Sequence, residues 1–212
     1  MIEEGWEKYA FDDPINVEKQ IKSAADSGWK FKHHRMESWK DWAETILNDL
    51  PAFMDENFND WQYVAAEDML YEPIPDDELK FKGFIDGIIG DVTKTGKKRL
   101  WVIDWKTAGR GGWQRKKKED FLIQAQLAAY KIFWGRREKI DLKTIQCAFI
   151  LLKREAKPGK AISMVRTSVG PKMIEKTEKL ISNMTANVRR GFFLKNRGSC
   201  MFCEFKDTEH CT

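Results

Sequence analysis

The fold is decided by residues 81–107, which read FKGFIDGIIG (81–90), DVTKTGKK (91–98) and RLWVIDWKT (99–107). The first and third segments are short, mainly apolar runs, and the segment between them is a polar loop that contains Gly96. Two apolar runs joined by such a loop are typical of a β-hairpin. We therefore predict two antiparallel strands at residues 81–90 and 99–107.

The predicted hairpin carries three charged residues that matter for chemistry. Because side chains alternate along a strand, Asp104 and Lys106 share one face of the second strand. By the same rule Asp86 shares a face of the first strand with Phe84 and Ile88. The hairpin register places Asp86 within about one residue of Asp104. Two carboxylates that converge at the end of a buried hairpin repel each other unless a cation lies between them, and a hard ion such as Mg²⁺ suits oxygen ligands of this kind.

The rest of the chain contributes helices and further strands. Before the hairpin, apolar residues at helical spacing predict helices at residues 15–25 and 33–50, the second ending at Pro51, and a strand at residues 61–70. After it, the pattern predicts a helix at residues 119–134 with Gly135 as its stop, strands at 145–153 and 161–167, and a last helix that begins at Pro171. This order of elements predicts one α/β domain.

The net charge of +4 conceals two different halves of the chain. Residues 1–80 contain 8 Lys and Arg against 20 Asp and Glu, and residues 81–212 contain 29 against 13, so the net charges are −12 and +16. Such asymmetry favours a part that binds a polyanion, with nucleic acid as the natural partner. We expect the acids of the first half to face solvent, away from that partner.

The most basic segment, residues 106–118, contains no acidic residue. Its glycine-rich part has no hydrophobic period, which predicts a mobile loop over residues 108–118 that leads into the next helix. The candidate phosphate contacts in this loop are Arg110, Arg115, Lys116, Lys117 and Lys118. Taken alone, a run such as residues 116–118 is more typical of a solvated loop.

Composition argues against the membrane and secreted classes. The chain is 42% apolar and 33% charged, its longest clean apolar run is residues 148–152, and its N-terminus is acidic. We expect a cytoplasmic protein, in which the four cysteines do not form a disulfide framework.

Three short motifs follow one another in the order Gly83-Phe-Ile-Asp86, Asp104-Trp-Lys106 and Gln126-Leu-Ala-Ala-Tyr130. Together they resemble the motif series of PD-(D/E)XK nucleases, in particular the RecB-like exonuclease branch that includes the CRISPR-associated adaptation nucleases and many phage recombination exonucleases. The resemblance spans residues 30–211. It implies a central mixed β-sheet flanked by helices, as in restriction endonucleases, with a helical part at residues 1–60 packed on a nuclease core at 61–195, and a cysteine segment at 196–212, all in one compact domain.

The resemblance also assigns roles to the motif residues. Asp86 and Asp104 are similar to the metal-binding carboxylates of the family, with the backbone carbonyl of Trp105 as a further ligand to Mg²⁺ or Mn²⁺. Lys106 is similar to the residue that orients the attacking water or offsets charge on the phosphate. Gln126 and Tyr130, four residues apart on one helix face, resemble the element that borders the site and touches the substrate strand.

Two upstream residues resemble additional metal ligands of the family. His33 lies on the apolar stripe of the predicted helix at residues 33–50, where family members present a histidine, although such a residue is more often part of the core. Glu67 lies near the end of the first strand, where some members place an acid, and it is equally compatible with a surface charge.

The cysteines near the C-terminus, Cys200, Cys203 and Cys211, have C-x2-C-x7-C spacing. A C-x2-C pair can close around one metal ion. The resemblance adds the iron–sulfur members of the branch, in which three such cysteines and one before the core hold a 4Fe–4S cluster. Here no cysteine precedes Cys147, which lies in a predicted strand and should point into the core. Three interpretations stay open: an incomplete cluster, a zinc site completed by His210 or another residue, and reduced thiols.

The resemblance implies a metal-dependent DNA nuclease, with an exonuclease favoured, that acts in recombination, repair or end processing beside a recombination or replication partner. The modest size fits a protein encoded by a phage or mobile element. Two alternatives stay open. One is a non-catalytic nucleic-acid-binding domain that retains the fold, and the other is a structure-selective endonuclease.

Overall fold

The computed structural model describes residues 33–192, 200, 203 and 205–209; the helix predicted at residues 15–25 lies outside them. The described helices are α1 (His33–Asn57), α2 (Arg115–Lys118), α3 (Phe121–Arg137) and α4 (Pro171–Arg189), with a 3-10 turn at Leu142–Thr144. The strands are β1 (Gln62–Pro73), β2 (Lys80–Val92), β3 (Lys98–Ala108), β4 (Ile145–Lys153) and β5 (Ile162–Thr167). No described helix is long and apolar enough to cross a membrane.

The five strands form one mixed sheet in the order β1-β2-β3-β4-β5. All neighbours are antiparallel except β3 and β4, which are parallel and are therefore joined by a crossover that contains α3. The predicted mixed sheet flanked by helices is confirmed.

Each face of the sheet has its own core. On one face, α3 and α4 cover side chains that include Ile88, Val102 and Phe149. On the other face, α1 covers side chains that include Ile89, Trp101 and Ile103. The two sets alternate along β2 and β3, as expected for a sheet buried on both sides.

The predicted end of the first described helix at Pro51 is wrong, because α1 continues to Asn57 with Pro51 inside it. The extra turns bury Phe53 and Met54 in the core on this face of the sheet. Their burial offsets the backbone hydrogen bond that proline cannot donate.

Gly135 is also not a helix stop, since α3 continues to Arg137. A Cβ atom added at Gly135 would lie 2.4 Å from Cδ2 of Leu142 and 3.0 Å from Cδ1 of Ile145. The absence of a side chain at Gly135 therefore allows α3 to pack closely against Leu142 and Ile145. The last helix begins at Pro171 as predicted, and Gly191 follows its end with a φ of 66°.

Candidate active site

The β2–β3 ladder ends at the two carboxylates. Its last pair is Gly87 with Ile103, and continuing the register by one residue puts Asp86 opposite Asp104, within the predicted distance. At that point the backbone N–H of Trp105 donates to Oδ2 of Asp86 at 2.7 Å. The Asp86 side chain thus accepts the Trp105 N–H, which would otherwise be free to pair with the β2 backbone if the ladder continued.

The alternation of β2 changes at this point. Ile85 and Ile88 belong to the same core under α3 although they are three residues apart. Phe84, predicted to share a face with Asp86 and Ile88, is instead exposed. This part of the prediction is wrong, because alternation restarts on either side of Asp86.

The neighbouring strand changes its alternation at the same level. Ala65 packs against the core under α3, and Asp68, three residues later, accepts a hydrogen bond from Nε1 of Trp134 in that helix. Between them, Glu67 has a φ of 47°, a left-handed conformation that is rare inside a strand. Continuing the β1–β2 register places Glu67 opposite Asp86. Unusual backbone conformations of this kind cluster at functional sites.

Asp104 is the most enclosed charged group of the site, with 1% of its surface exposed. Nε2 of Gln126 donates to its Oδ1 at 3.1 Å. Its Oδ2 atom is 2.6 Å from Nζ of Lys106 but receives no regularly oriented hydrogen bond from the described residues. Burial raises the pKa of the Asp104 carboxyl, the charge of Asp86 raises it further, and Lys106 opposes the shift.

Gln126 of α3 links this carboxylate to Tyr130 of the same helix. Nε2 of Gln126 lies 3.1 Å from the hydroxyl of Tyr130 as well as from Asp104. The Tyr130 ring is close to Gly83, where an added Cβ would lie 2.7 Å from its Cε1 atom. All three quoted motifs therefore meet at one place. Their catalytic and binding roles remain predictions.

Tyr63 is a neighbour of the site that no sequence motif marks. The pKa of its hydroxyl is raised by partial burial and then by the charges of Glu67 and Asp86. The β1–β2 register, which places Glu67 opposite Asp86, brings both carboxylates to the same part of the sheet as Tyr63. The sequence of β1 around Tyr63 carries no recognisable motif, and Tyr63 comes close to Asp86 through the pairing of β1 with β2.

The other predicted metal ligands, His33 and the cysteines, either lie away from the two carboxylates or fall partly outside the described residues. His33 is the first residue of α1, and its side chain lies outside the described part of the chain. Cys147 is buried under α3 as predicted, and burial raises its pKa to about 12. Cys200 and Cys203 are free thiols, and Cys211 and His210 lie outside the described residues. Within the described ranges, no three His, Cys, Asp or Glu side chains converge as a metal site.

The residues at the end of the hairpin nevertheless fit a divalent cation. Oδ2 of Asp104 is buried and lies 2.6 Å from Nζ of Lys106, and the neighbouring Asp86 carboxylate repels the charge of Asp104. A magnesium ion is held in many proteins by one or two carboxylates with water and substrate phosphate as the other ligands. Two side-chain carboxylates are therefore sufficient for this type of site.

The basic segment contains a short helix where a loop was predicted. The N–H of Gly112 donates to the carbonyl of Gly109 at 2.8 Å, and the Trp113 side chain is buried with its ring centroid 5.0 Å from that of Phe149. Residues 115–118 form α2 instead of a loop, just after this buried tryptophan. The candidate phosphate contacts Arg110, Arg115, Lys116, Lys117 and Lys118 are all exposed.

Comparisons with known proteins add one informative finding. The family model described as the PD-(D/E)XK nuclease superfamily matches residues 1–208. A comparison with curated proteins found no match. A solved structure titled "Crystal structure of SSO0001" is 16% identical, covers 90% of this chain and 77% of that chain, and superposes with a TM-score of 0.40. That likeness is too low to support an argument about function.

Proposed function

Because this chain belongs to the PD-(D/E)XK nuclease superfamily, we propose that it is a metal-dependent deoxyribonuclease that uses Mg²⁺ or Mn²⁺. The observation that supports this most is the buried Asp104 carboxylate, held between Lys106 and Gln126 and repelled by Asp86. A domain that only bound DNA would gain nothing from two carboxylates that repel phosphate.

Each residue of the site has a separate proposed role in cleavage. Asp86, Asp104 and the Trp105 carbonyl would hold the ion, which supplies a water of lowered pKa and offsets charge on the scissile phosphate. Lys106 places its ammonium beside Asp104, and its partly exposed side chain would contact the scissile phosphate. Gln126 fixes one oxygen of Asp104 and positions Tyr130 at the edge of the site. Such positioning keeps the carboxylate oriented for the reaction.

Glu67 and His33 are proposed as additional ligands. The closeness of Glu67 to Asp86 supports its inclusion, and His33 rests on the family resemblance alone. Glu67→Gln and His33→Gln should each raise the Mg²⁺ concentration needed for half-maximal cleavage. An unchanged metal requirement in either variant removes that residue from the proposed site.

Substitution of the central residues tests the nuclease assignment. Asp104→Asn and Lys106→Met should each reduce cleavage of labelled single- and double-stranded DNA by at least about 100-fold in Mg²⁺ or Mn²⁺. Asp91→Asn is the matched control, since Asp91 is a buried carboxylate on β2 that pairs with Arg99 far from the site. Undiminished cleavage by both site variants would refute the assignment. DNA binding without cleavage in the wild type would favour the non-catalytic alternative.

We propose further that the enzyme is an exonuclease of recombination, repair or end processing, as the family resemblance implies. The exposed basic residues of the segment after β3 would hold the DNA backbone through phosphate contacts. An exonuclease degrades linear DNA, single- or double-stranded, and leaves a covalently closed circle of the same sequence and strand form intact. Cleavage of the circle would instead indicate the endonuclease alternative.

The C-terminal cysteines support a separate proposal, a 4Fe–4S cluster or a zinc ion bound by Cys200, Cys203 and Cys211. Cys200 and Cys203 lie on one turn, in which the N–H of Cys203 donates to the carbonyl of Cys200 at 3.4 Å. Analysis of purified protein for iron, acid-labile sulfide and zinc distinguishes the two metals. Protein that contains neither would identify the three residues as reduced thiols.

A further inference from the structure

The hairpin of β1 and β2 extends beyond the catalytic end of β3. The pairing of β2 with β3 stops at Gly87 and Ile103, whereas β1 and β2 remain paired as far as Pro73 and Lys80. We call this two-stranded extension, residues 68–73 and 80–85, the arm. The arm begins at Asp86, so it projects from the proposed active site.

One face of the arm is covered by α3. The Phe81 ring stacks on Phe133 with centroids 4.3 Å apart, and Gly83 lies against Tyr130. On the same face, Asp68 accepts a hydrogen bond from Trp134. This packing holds the arm in place and leaves its opposite face outward.

The outward face combines apolar side chains with lysines. Met69, Tyr71 and Phe84 are 53%, 56% and 45% exposed, so the described residues leave about half of each uncovered. Lys80 lies over the Tyr71 ring, with Nζ 4.8 Å from the centroid, and Lys82 lies over Phe84 at 5.8 Å. The strand register joins these residues into one patch, because Met69 pairs with Phe84 and Tyr71 with Lys82. Contiguous exposed apolar side chains usually mark an interaction site.

We propose that this outward face binds single-stranded DNA, with bases stacked on Tyr71 and Phe84 and phosphates paired with Lys80 and Lys82. The inference rests on the proposed nuclease function and adds the class of substrate. Rings flanked by cations are the combination that binds unpaired nucleic acid, since every base has an apolar face and every nucleotide a charge. Lys80 and Lys82 already lie over the two rings. A base that stacks on a ring in place of the lysine would leave that ammonium close to the phosphate of the same nucleotide.

The position of the face favours a single strand over a duplex. Phe84 is two residues from Asp86, or about 7 Å along the strand. The exposed rings and Asp104 lie on opposite sides of the sheet, so a bound strand has to pass the end of β3 to reach both. A flexible single strand with unstacked bases can do so, whereas the bases of a duplex are stacked on one another and cannot reach the rings.

Oligonucleotide binding in EDTA, where no cleavage occurs, tests the proposal. The double variant Tyr71→Thr/Phe84→Thr keeps β-forming residues but removes both rings, and it should bind labelled oligothymidylate about tenfold more weakly than the wild type. Tyr71→Phe/Phe84→Tyr keeps both rings and should bind as the wild type does. An abasic oligonucleotide of the same length has the phosphates without the bases, so the Thr variant and the wild type should bind it equally. Met184→Gln, which removes an equally exposed apolar side chain from α4, is the control for surface polarity.

The outcomes separate this inference from the nuclease assignment. Equal binding of oligothymidylate by the wild type and the Thr variant overturns the inference, whether or not the wild type cleaves DNA. Sedimentation compares the oligomeric states of the two proteins. A dimeric wild type and a monomeric Thr variant would identify the face as a contact between two copies of this chain, and would also overturn the inference. Loss of binding in the Thr variant, with a wild type that cleaves nothing, would support the DNA-binding face and refute the nuclease.

Discussion

The Asp104 carboxylate is almost completely buried, and from the described part of the chain it receives one ion pair, from Lys106, and one hydrogen bond, from Gln126. Asp104→Asn retains the acceptor facing Gln126 and removes the buried charge. Burial raises the pKa of the Asp104 carboxyl in the folded protein, so its ionised form lowers stability at pH 7, and Lys106, whose side chain is 34% exposed, can be hydrated when its partner is lost. We therefore expect the free energy of unfolding of Asp104→Asn in EDTA at pH 7 to be about 1 kcal/mol higher than that of the wild type, as measured by urea denaturation. Asp91→Asn should be less stable than the wild type, because it breaks the ion pair with Arg99. A less stable Asp104→Asn protein would contradict this explanation.

Because the Cys147 thiol is buried, we expect the free energy of unfolding to fall at alkaline pH. Burial raises the pKa of its thiol from 9.0 to about 12 in the folded protein, so the unfolded chain releases this proton first as the pH rises. Its contribution to stability is complete below pH 9 and is lost between pH 9 and about 12, by at most about 1.4 kcal/mol per pH unit. Cys147→Ala lacks this component, and the neighbouring Lys131 is present in both proteins. Urea denaturation across this range should show the wild type losing stability relative to the variant; parallel curves would contradict the assignment.

Among single residues, those set by strand alternation or helical spacing could be predicted from the sequence. Asp104 and Lys106 share a face two residues apart, and Gln126 lies one helical turn from Tyr130. Tyr63 could not be predicted in this way, because its closeness to Asp86 depends on the pairing of β1 with β2.

The contact between α3 and the arm depends on Gly83. Gly83→Ala would place a methyl group 2.7 Å from the Tyr130 ring, so we expect a loss of about 1–3 kcal/mol in the free energy of unfolding and weaker DNA cleavage. Gly90→Ala on the same strand is the matched control, because its Cβ would meet ordinary contacts at 3.6 Å or more. Its stability should change by no more than about 0.5 kcal/mol. Urea denaturation and the nuclease assay measure both effects, and equal behaviour of the two variants would contradict this account of α3 packing.

Elements were predicted best where local pattern and packing agree. The strand at residues 145–153 was predicted with its observed ends, and α4 begins at its proline. Pro51 and Gly135 were misread as helix ends, because both local signals are overridden by buried neighbours. The helix at residues 115–118 is not indicated by local pattern, and Trp113, just before it, contacts Phe149, which lies far away in sequence.

On the scale of the whole molecule, several acids of the first half bind the second half instead of facing solvent as predicted. The Asp49 carboxylate accepts the N–H groups of Gly159 and Ala161, both at 2.8 Å. Asp68 pairs with Arg137, and Asp77 pairs with Arg189. The two ion pairs neutralise Arg137 and Arg189, so acids of the first half offset part of the positive charge of the second half. Among the cations of residues 110–118, Arg115 pairs with Glu119 and Lys117 lies over the Trp113 ring, whereas Arg110, Lys116 and Lys118 are exposed to solvent.

The charge distribution therefore predicts which cations set the salt dependence of DNA binding. Lys116 and Lys118 are exposed on α2, so each should release about one counterion when it meets a phosphate. The double variant Lys116→Gln/Lys118→Gln should reduce the slope of log affinity against log salt concentration by about 2 for duplex DNA. Lys172→Gln/Lys176→Gln removes the same charge from exposed positions of α4 and should leave the slope close to that of the wild type. Anisotropy titrations in EDTA from low to high salt measure these slopes. Equal slopes for the two double variants would mean that net charge, rather than a basic surface beside the carboxylates, attracts the DNA.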